Sequence, residues 1–260
     1  MHIQPHTPSN RRQPKSTVLI AGATGNTGRL LVERLLDQGH SVRAIVREAS
    51  RLPTRAQRHP NLTVIEASIL DLSDAQLAEA AWGCDAVVSC LGHVLSFEGV
   101  FMEPRRLCTD ATRRLCQAIE ANRPAKPVRF VLMNTVGVPN PDLEEQRTWY
   151  ERGTLALLRW LIPPHRDNEE AAAHLHGAVG TDHGYVQWCS VRPDALIDGE
   201  VSDYEIESSP VTGIFTGRPT RRANVAHFMS RLIEDDRLWS QWRFKMPVVM
   251  NRAEAIAPRA

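Results

Sequence analysis

Seven residues, Gly22-Ala23-Thr24-Gly25-Asn26-Thr27-Gly28, stand between the short apolar run 18–21 and a segment, 29–38, with helical apolar spacing. A passage from strand to glycine turn to helix admits few architectures, because each glycine lifts a different steric limit. The first permits a tight turn off the strand, and the second lets the backbone approach a pyrophosphate. The third keeps the helix tight against the sheet. Free N–H groups and the positive dipole end of that helix would then face phosphate. In this context the motif predicts the phosphate-binding corner of a dinucleotide-binding α/β fold. The bland alternative is an ordinary strand-to-helix turn of small residues.

The rest of the chain continues the alternation. In the helix over 29–38, Leu31, Val32, Leu35 and Leu36 share one broad face, and Gly39 ends it. A strand follows at 41–46 and a third at 62–66, and Ser73 with Gln76 reads as a capping box for a helix to residue 81. The apolar run 85–92 is a buried strand ending in Gly92. The helix over 104–121 puts Leu107, Ala111, Leu115 and Ile119 on one face. The strand at 128–133 delivers Asn134 and Thr135 to the carboxyl edge, where ligands bind in such sheets. Beyond it the pattern is less regular. A polar stretch, 139–152, carries Trp149 and Tyr150; a short apolar helix, 155–162, is expected to stop at Pro163-Pro164; and Asp167 reads as the cap of a helix to about residue 178. A sixth strand at 185–191, short strands and turns over 199–222, a helix at 223–233 and a last strand at 242–249 complete the chain. The expectation is a doubly wound parallel Rossmann sheet of strand order 3-2-1-4-5-6-7 with right-handed crossovers. It forms a single domain over 17–260, with a small substrate lobe built mainly from 139–184 and 199–222.

Composition removes several function classes. With 31 basic and 30 acidic residues in 260 the formal charge is +1, which offers no nucleic-acid footprint and no basic face for an acidic membrane. No apolar run approaches the ~20 residues of a bilayer span. Residues 1–16 lack the apolar core of a secretory signal and are expected to be a disordered tail. The five cysteines are odd in number and form no C-x-x-C, and several fall on apolar positions. They read as small packing residues in a reducing compartment, the cytoplasm. His174 and His176 lie two apart on a helix and so face differently, which gives no metal-ligand spacing.

Arg47 closes the second strand where an NAD-binding chain would place an acidic residue for the ribose 2′-hydroxyl. A guanidinium there, with Ser50 and Arg51 just beyond, suits a 2′-phosphate and points to NADP(H). The competing reading is a pair of solvated surface arginines.

These features together resemble the atypical short-chain dehydrogenase/reductases, a group that includes NmrA-like proteins and NADPH-dependent flavin/biliverdin reductases. The likeness rests on Gly22-Ala23-Thr24-Gly25-x-Thr27-Gly28, on Val46-Arg47-x-x-Ser50-Arg51-Leu52-Pro53 and on Ala226-His227-Phe228-Met229. It spans roughly residues 17–250. It implies that Gly22, Thr24, Gly25, Asn26, Thr27 and Gly28 form the pyrophosphate loop and that Arg47, Ser50 and Arg51 hold the 2′-phosphate. Ser68 and Ile69 would border the adenine, with Ser68 standing where the family usually has Asp. Leu91 and Gly92 would lie by the nicotinamide ribose, with Asn134 beside them, and Thr135 would take the place of the family's active-site serine.

The departures bear on chemistry. Classical members use a Tyr-x-x-x-Lys pair, whereas Tyr150 is followed four residues on by Thr154, and Tyr185 by Cys189. Hydride would then pass to an electron-poor, conjugated acceptor such as a flavin or quinone, with a proton from solvent or a weak local donor. Thr135 is the candidate catalytic residue, with turn capping as its other reading. Tyr150 and Trp149 would cover a planar acceptor or pack their own loop. Asp167, Asn168 and Asp194 are candidate substrate contacts; Asp194 stands where the flavin/biliverdin enzymes carry His. A small molecule is the expected partner of a reductase. A protein partner belongs to the rival reading, an NmrA-like NADP(H) sensor without turnover. An epimerase or dehydratase is disfavoured by the missing Tyr-Lys pair.

Overall fold

The computed structural model describes residues 15–92, 105–143, 145, 153–154, 163–211 and 218–252. The expected tail up to residue 14, the loop 93–103, Trp149, Tyr150 and the helix 155–162 lie outside the described residues.

Valine- and isoleucine-rich runs form the central strands, where branched side chains fit a sheet covered on both faces. In chain order the strands are β1 Thr17–Ala21, β2 Ser41–Val46, β3 Leu62–Glu66, β4 Ala86–Ser89, β5 Val128–Met133, β6 Val186–Pro193, β7 Leu196–Ile197, β8 Tyr204–Glu207, β9 Thr220–Arg221 and β10 Val248–Asn251. The main sheet runs β3-β2-β1-β4-β5-β6-β10-β8. Its first seven strands are parallel, with β10 in the seventh place, so the expected order holds. The eighth is new. Tyr204–Glu207, expected within the lobe, instead pairs antiparallel on the outer edge of β10, and Thr220–Arg221 pairs with β7 in a separate two-stranded sheet.

Alternation along the strands sorts the core into two layers. Val18 and Ile20 of β1 point to one face, and Leu19 and Ala21 to the other. The first layer is closed by helix α1 (Gly28–Asp37), through Leu31, Val32 and Leu35, and by α6 (Arg222–Glu234), through Val225, Phe228, Met229 and Leu232. The second is closed by α3 (Asp74–Ala81), α4 (Leu107–Asn122) and α5 (Pro163–Ala173). A short turn of helix, α2 (Thr54–Gln57), sits beside β2. The capping box at Ser73 and Gln76 is made in both directions. All five cysteines are free and buried. Burial raises each thiol pKa, that of Cys84 to about 11 and that of Cys90 to about 12. Among the described residues no helix is long and apolar enough to cross a membrane.

Two expectations are corrected. Pro163 and Pro164 fall within the helix Pro163–Ala173, so Asp167 lies inside α5 and not at its cap. The last strand begins at Val248, not at residue 242. Asp235 accepts from the N–H groups of Arg237 and Leu238 and so starts a further helix, α7 (Asp236–Trp242), which buries Trp239 and Trp242 against the first layer.

Candidate functional site at the carboxyl edge of the sheet

Ala21 is in register with Ile45 on one side and Ser89 on the other, so the turn at Gly22 opens level with the ends of β2 and β4. Gly22 has φ +79°, and a Cβ there would stand 2.6 Å from the carbonyl carbon and oxygen of Cys90. The end of β4 therefore lies directly on the loop, which brings Leu91 and Gly92 beside it. A Cβ on Gly28 would stand 2.2 Å from the Gly22 carbonyl oxygen. That glycine is needed because α1 starts against its own loop, a tighter constraint than packing on the sheet. At Gly25 the nearest atom to a Cβ would be the same oxygen, at 3.3 Å, and the residue is exposed.

The loop is held by Gly25 N–H donating to Gly22 O and Arg29 N–H donating to Gly25 O. Among the described residues none of its backbone bonds uses the N–H groups of Asn26, Thr27 or Gly28, and no side chain caps α1. Thr27 is buried at 3% exposure, whereas Asn26 faces solvent. Uncapped donors at a helix start, with a glycine cradle a Cβ would crowd, fit a pyrophosphate.

At the end of β2, Arg47, Ser50 and Arg51 are all exposed, and no ion pair engages either guanidinium among the described residues. The turn that carries them is clamped from three sides. Glu66 accepts from Ala49 N–H at 3.0 Å, Gln57 donates to the carbonyls of Ser50 and Leu52, and Ser50 Oγ donates to Glu48 at 2.5 Å. The sequence reading missed Gln57 and Glu66. It also missed Arg114, which reaches from α4 to the carbonyls of Ile69 and Leu70 at 3.1 and 2.9 Å. Arg114 thereby fixes the segment that follows half-buried Ser68 and buried Ile69.

Past β5, Asn134 is 8% exposed and bridges two elements: its Oδ1 accepts from Thr135 N–H at 2.9 Å, and its Nδ2 donates to the Asn168 carbonyl at 3.1 Å. Thr135 is half-buried, and its Oγ1 accepts from Gly137 N–H at 3.3 Å, the contact expected of a turn cap. Val136 N–H donates to Pro193 O, which sets Asp194 at the same edge. Asp194 is half-buried and accepts from Ala195 N–H; burial pushes its carboxyl above the usual range. Asp167 is otherwise employed. It is 2% exposed, and its carboxylate accepts from the N–H groups of Cys108 and Thr109 at 2.7 and 2.9 Å and from Thr109 Oγ1 at 2.6 Å. It caps α4, a different helix. Tyr185 precedes β6 at the opposite, amino edge, and Tyr204 lies on the outer strand β8, bonded to His227.

Arg192 of β6 is a structural hub. It is fully buried, pairs with Glu145 at 2.6 Å, and donates to the carbonyls of Met246, Val138 and Ser208.

Comparison with known proteins agrees with this geometry. The signature of the family described as NAD(P)H-binding matches residues 22–236. The chain is 30% identical over 145 residues to the chloroplastic divinyl chlorophyllide a 8-vinyl-reductase of Cucumis sativus, a match that covers 52% of this chain and 33% of that enzyme. It thus spans about a third of that relative's length. Among solved structures, a short-chain dehydrogenase/reductase of Veillonella parvula in complex with NADP superposes with a TM-score of 0.65 at 15% identity, covering 92% of this chain and 95% of that one. An anaerobillin reductase of Escherichia coli O157:H7 gives 0.64 at 18% identity, covering 93% and 100%. These structural likenesses establish the Rossmann fold.

Proposed function

The chain belongs to the NAD(P)H-binding family, and on that premise we propose that it is an NADPH-dependent reductase of a conjugated small molecule, flavin- or quinone-like. One observation carries the cofactor choice: two exposed arginines, Arg47 and Arg51, follow β2 and make no ion pair among the described residues, and no side chain caps the start of α1. A guanidinium gains a charged, forked hydrogen bond from a 2′-phosphate and little from a hydroxyl. Bound NADPH supplies the hydride. The chain's own residues do the rest. Gly22 to Gly28 would receive the pyrophosphate, and Gln57 and Glu66 would hold the turn that presents Arg47, Ser50 and Arg51. Leu91, Gly92, Asn134 and Thr135 would border the nicotinamide end.

The names of the proteins it resembles support a reduction, one of them of a vinyl group. Five free, buried thiols support a reducing compartment such as the cytoplasm. Calorimetric titration with NADPH and NADH, followed by NADPH oxidation with a panel of flavins and quinones, tests the reading. NADPH preference with turnover of at least one acceptor is expected. Tight NADPH binding with no turnover across the panel would favour the sensor reading, and preference for NADH would overturn the role of Arg47.

A further inference from the structure

Two glutamates serve the turn that follows β2, and they are spent differently. Glu66, at the end of β3, accepts from Ala49 N–H at 3.0 Å and so holds the turn by its backbone. Glu48 belongs to the turn itself, one residue past Arg47, with an extended backbone (φ −151°, ψ 113°) that leads into a short 3-10 turn, Ala49–Arg51. Its side chain is exposed, and its one bond among the described residues comes from a neighbour: Ser50 Oγ donates to Oε1 at 2.5 Å. That length is typical of a hydroxyl on a carboxylate. The turn keeps its shape by other means. Arg51 N–H reaches the Glu48 carbonyl at 3.3 Å, Leu52 N–H reaches that of Ala49 at 3.1 Å, and Gln57 donates to the carbonyls of Ser50 and Leu52. The Glu48 carboxylate is therefore free of a scaffolding task. What it does is occupy a hydroxyl and add a negative charge to a turn that carries two arginines.

We infer that Glu48 sets the strength of the NADPH preference by restraining it, an inference that rests on the cofactor reading above. A serine hydroxyl has one hydrogen to donate. While that hydrogen lies on Glu48, Ser50 offers a 2′-phosphate only lone pairs, which phosphate oxygens cannot use. Binding of NADPH would then break the Ser50–Glu48 bond or forgo the hydroxyl. In either case a group of charge about −2 approaches a turn that already holds a carboxylate. A 2′-hydroxyl is uncharged and both donates and accepts, so NADH escapes both penalties. Arg47 and Arg51 pull the site toward NADPH, and Glu48 limits how far.

The test is calorimetric titration of the full chain with NADPH and with NADH, the wild type beside Glu48→Gln and Glu48→Ala. Glu48→Gln removes the charge but keeps an acceptor for the hydroxyl. It should tighten NADPH binding about threefold, the scale of one exposed charge pair, and that gain should shrink as salt is raised. Glu48→Ala also releases Ser50 and should tighten NADPH about tenfold, as for a hydrogen bond to a charged group. NADH affinity should stay within about twofold in both variants, a split that a change in the fold would not produce. Ser50→Ala should cost about threefold more NADPH affinity in the Glu48→Ala background than in the otherwise wild-type chain, because only there is the hydroxyl released. NADPH affinity unaltered or lowered in both Glu48 variants, or equal gains for NADPH and NADH, would overturn the inference and leave a wild-type preference for NADPH standing. Failure of the wild type and of both variants to prefer NADPH would sink the cofactor reading, and the inference with it.

Discussion

Glu145→Gln removes a charge from an enclosed ion pair while conserving the shape of the side chain. Arg192 is fully buried and Glu145 is 4% exposed, with 2.6 Å between Nη1 and Oε1. The same guanidinium donates to Met246 O at 2.8 Å, to Val138 O at 2.8 Å and to Ser208 O at 3.2 Å. In the variant those three bonds survive and an amide oxygen still accepts, but the ion pair with Glu145 is lost. Breaking a buried pair in this way costs about 3–5 kcal/mol, and the retained bonds favour the lower figure. At about 2–4 °C per kcal/mol for a domain of this size, 3 kcal/mol lowers Tm by about 6–12 °C. Thermal unfolding followed by circular dichroism or tryptophan fluorescence reads the shift. Arg192→Met removes the ion pair with Glu145 and the donor to three carbonyls at once. Its cost approaches the whole stability of a domain, so little folded protein is expected. A fall of less than about 2 °C for Glu145→Gln would refute the argument, because it would mean that the pair is solvated and its charge counts for little.

Arg47→Ala should weaken NADPH binding by ~1.5–3 kcal/mol, the scale of a hydrogen bond to a charged group, and leave NADH binding within about twofold; equal calorimetric losses would make Arg47 a fold residue. Gly28→Ala drives a methyl to within 2.2 Å of the Gly22 carbonyl oxygen. The loop must open, so NADPH affinity should drop by more than roughly tenfold, and unaltered affinity would show that the corner yields freely. Stability should decline in acid. His227 shares a 2.6 Å hydrogen bond with Tyr204, and burial, aided by Arg34 and Arg231 against the opposing charge of Glu234, lowers its pKa from the usual 6.5. Burial and Arg113 lower that of His174 from the same value. The unfolded chain then binds more protons, so this stability is present above pH 6.5 and is lost as pH falls through 6.5 toward the folded-state values. His227→Asn should flatten the decline in Tm between about pH 7.5 and 5.5, and an unchanged slope would assign it elsewhere.

Where the determinants are local, the sequence was sufficient. The capping box at Ser73 and Gln76 forms as read, since both partners lie within one turn. Strands β2, β3 and β5 keep their expected bounds because branched runs there end in clear turn residues. Asp167 shows the limit. A cap preference identifies an acidic residue suited to a helix start but not which helix, and the start it serves, at Cys108 and Thr109, is remote in sequence. Trp242 likewise has the apolar character of a strand residue and was assigned to one. The Asp235 cap and a place against the first core layer make it the end of a helix.

The sequence by itself determined the glycine corner between β1 and α1 and the parallel order of the sheet. A glycine turn between a strand and a helix, and the alternation that follows it, are constraints of backbone geometry within a few residues. It also placed Arg47 and Arg51 just beyond β2, because the residues that follow a strand emerge at the same edge in any such sheet. Tertiary structure alone decided the eighth strand on β10, the capping of α4 by Asp167, the burial of Arg192 against Glu145, and the reach of Asn134 to the Asn168 carbonyl. Each of these joins groups far apart in the chain, where residue type states what a side chain can bond and only packing states what it meets.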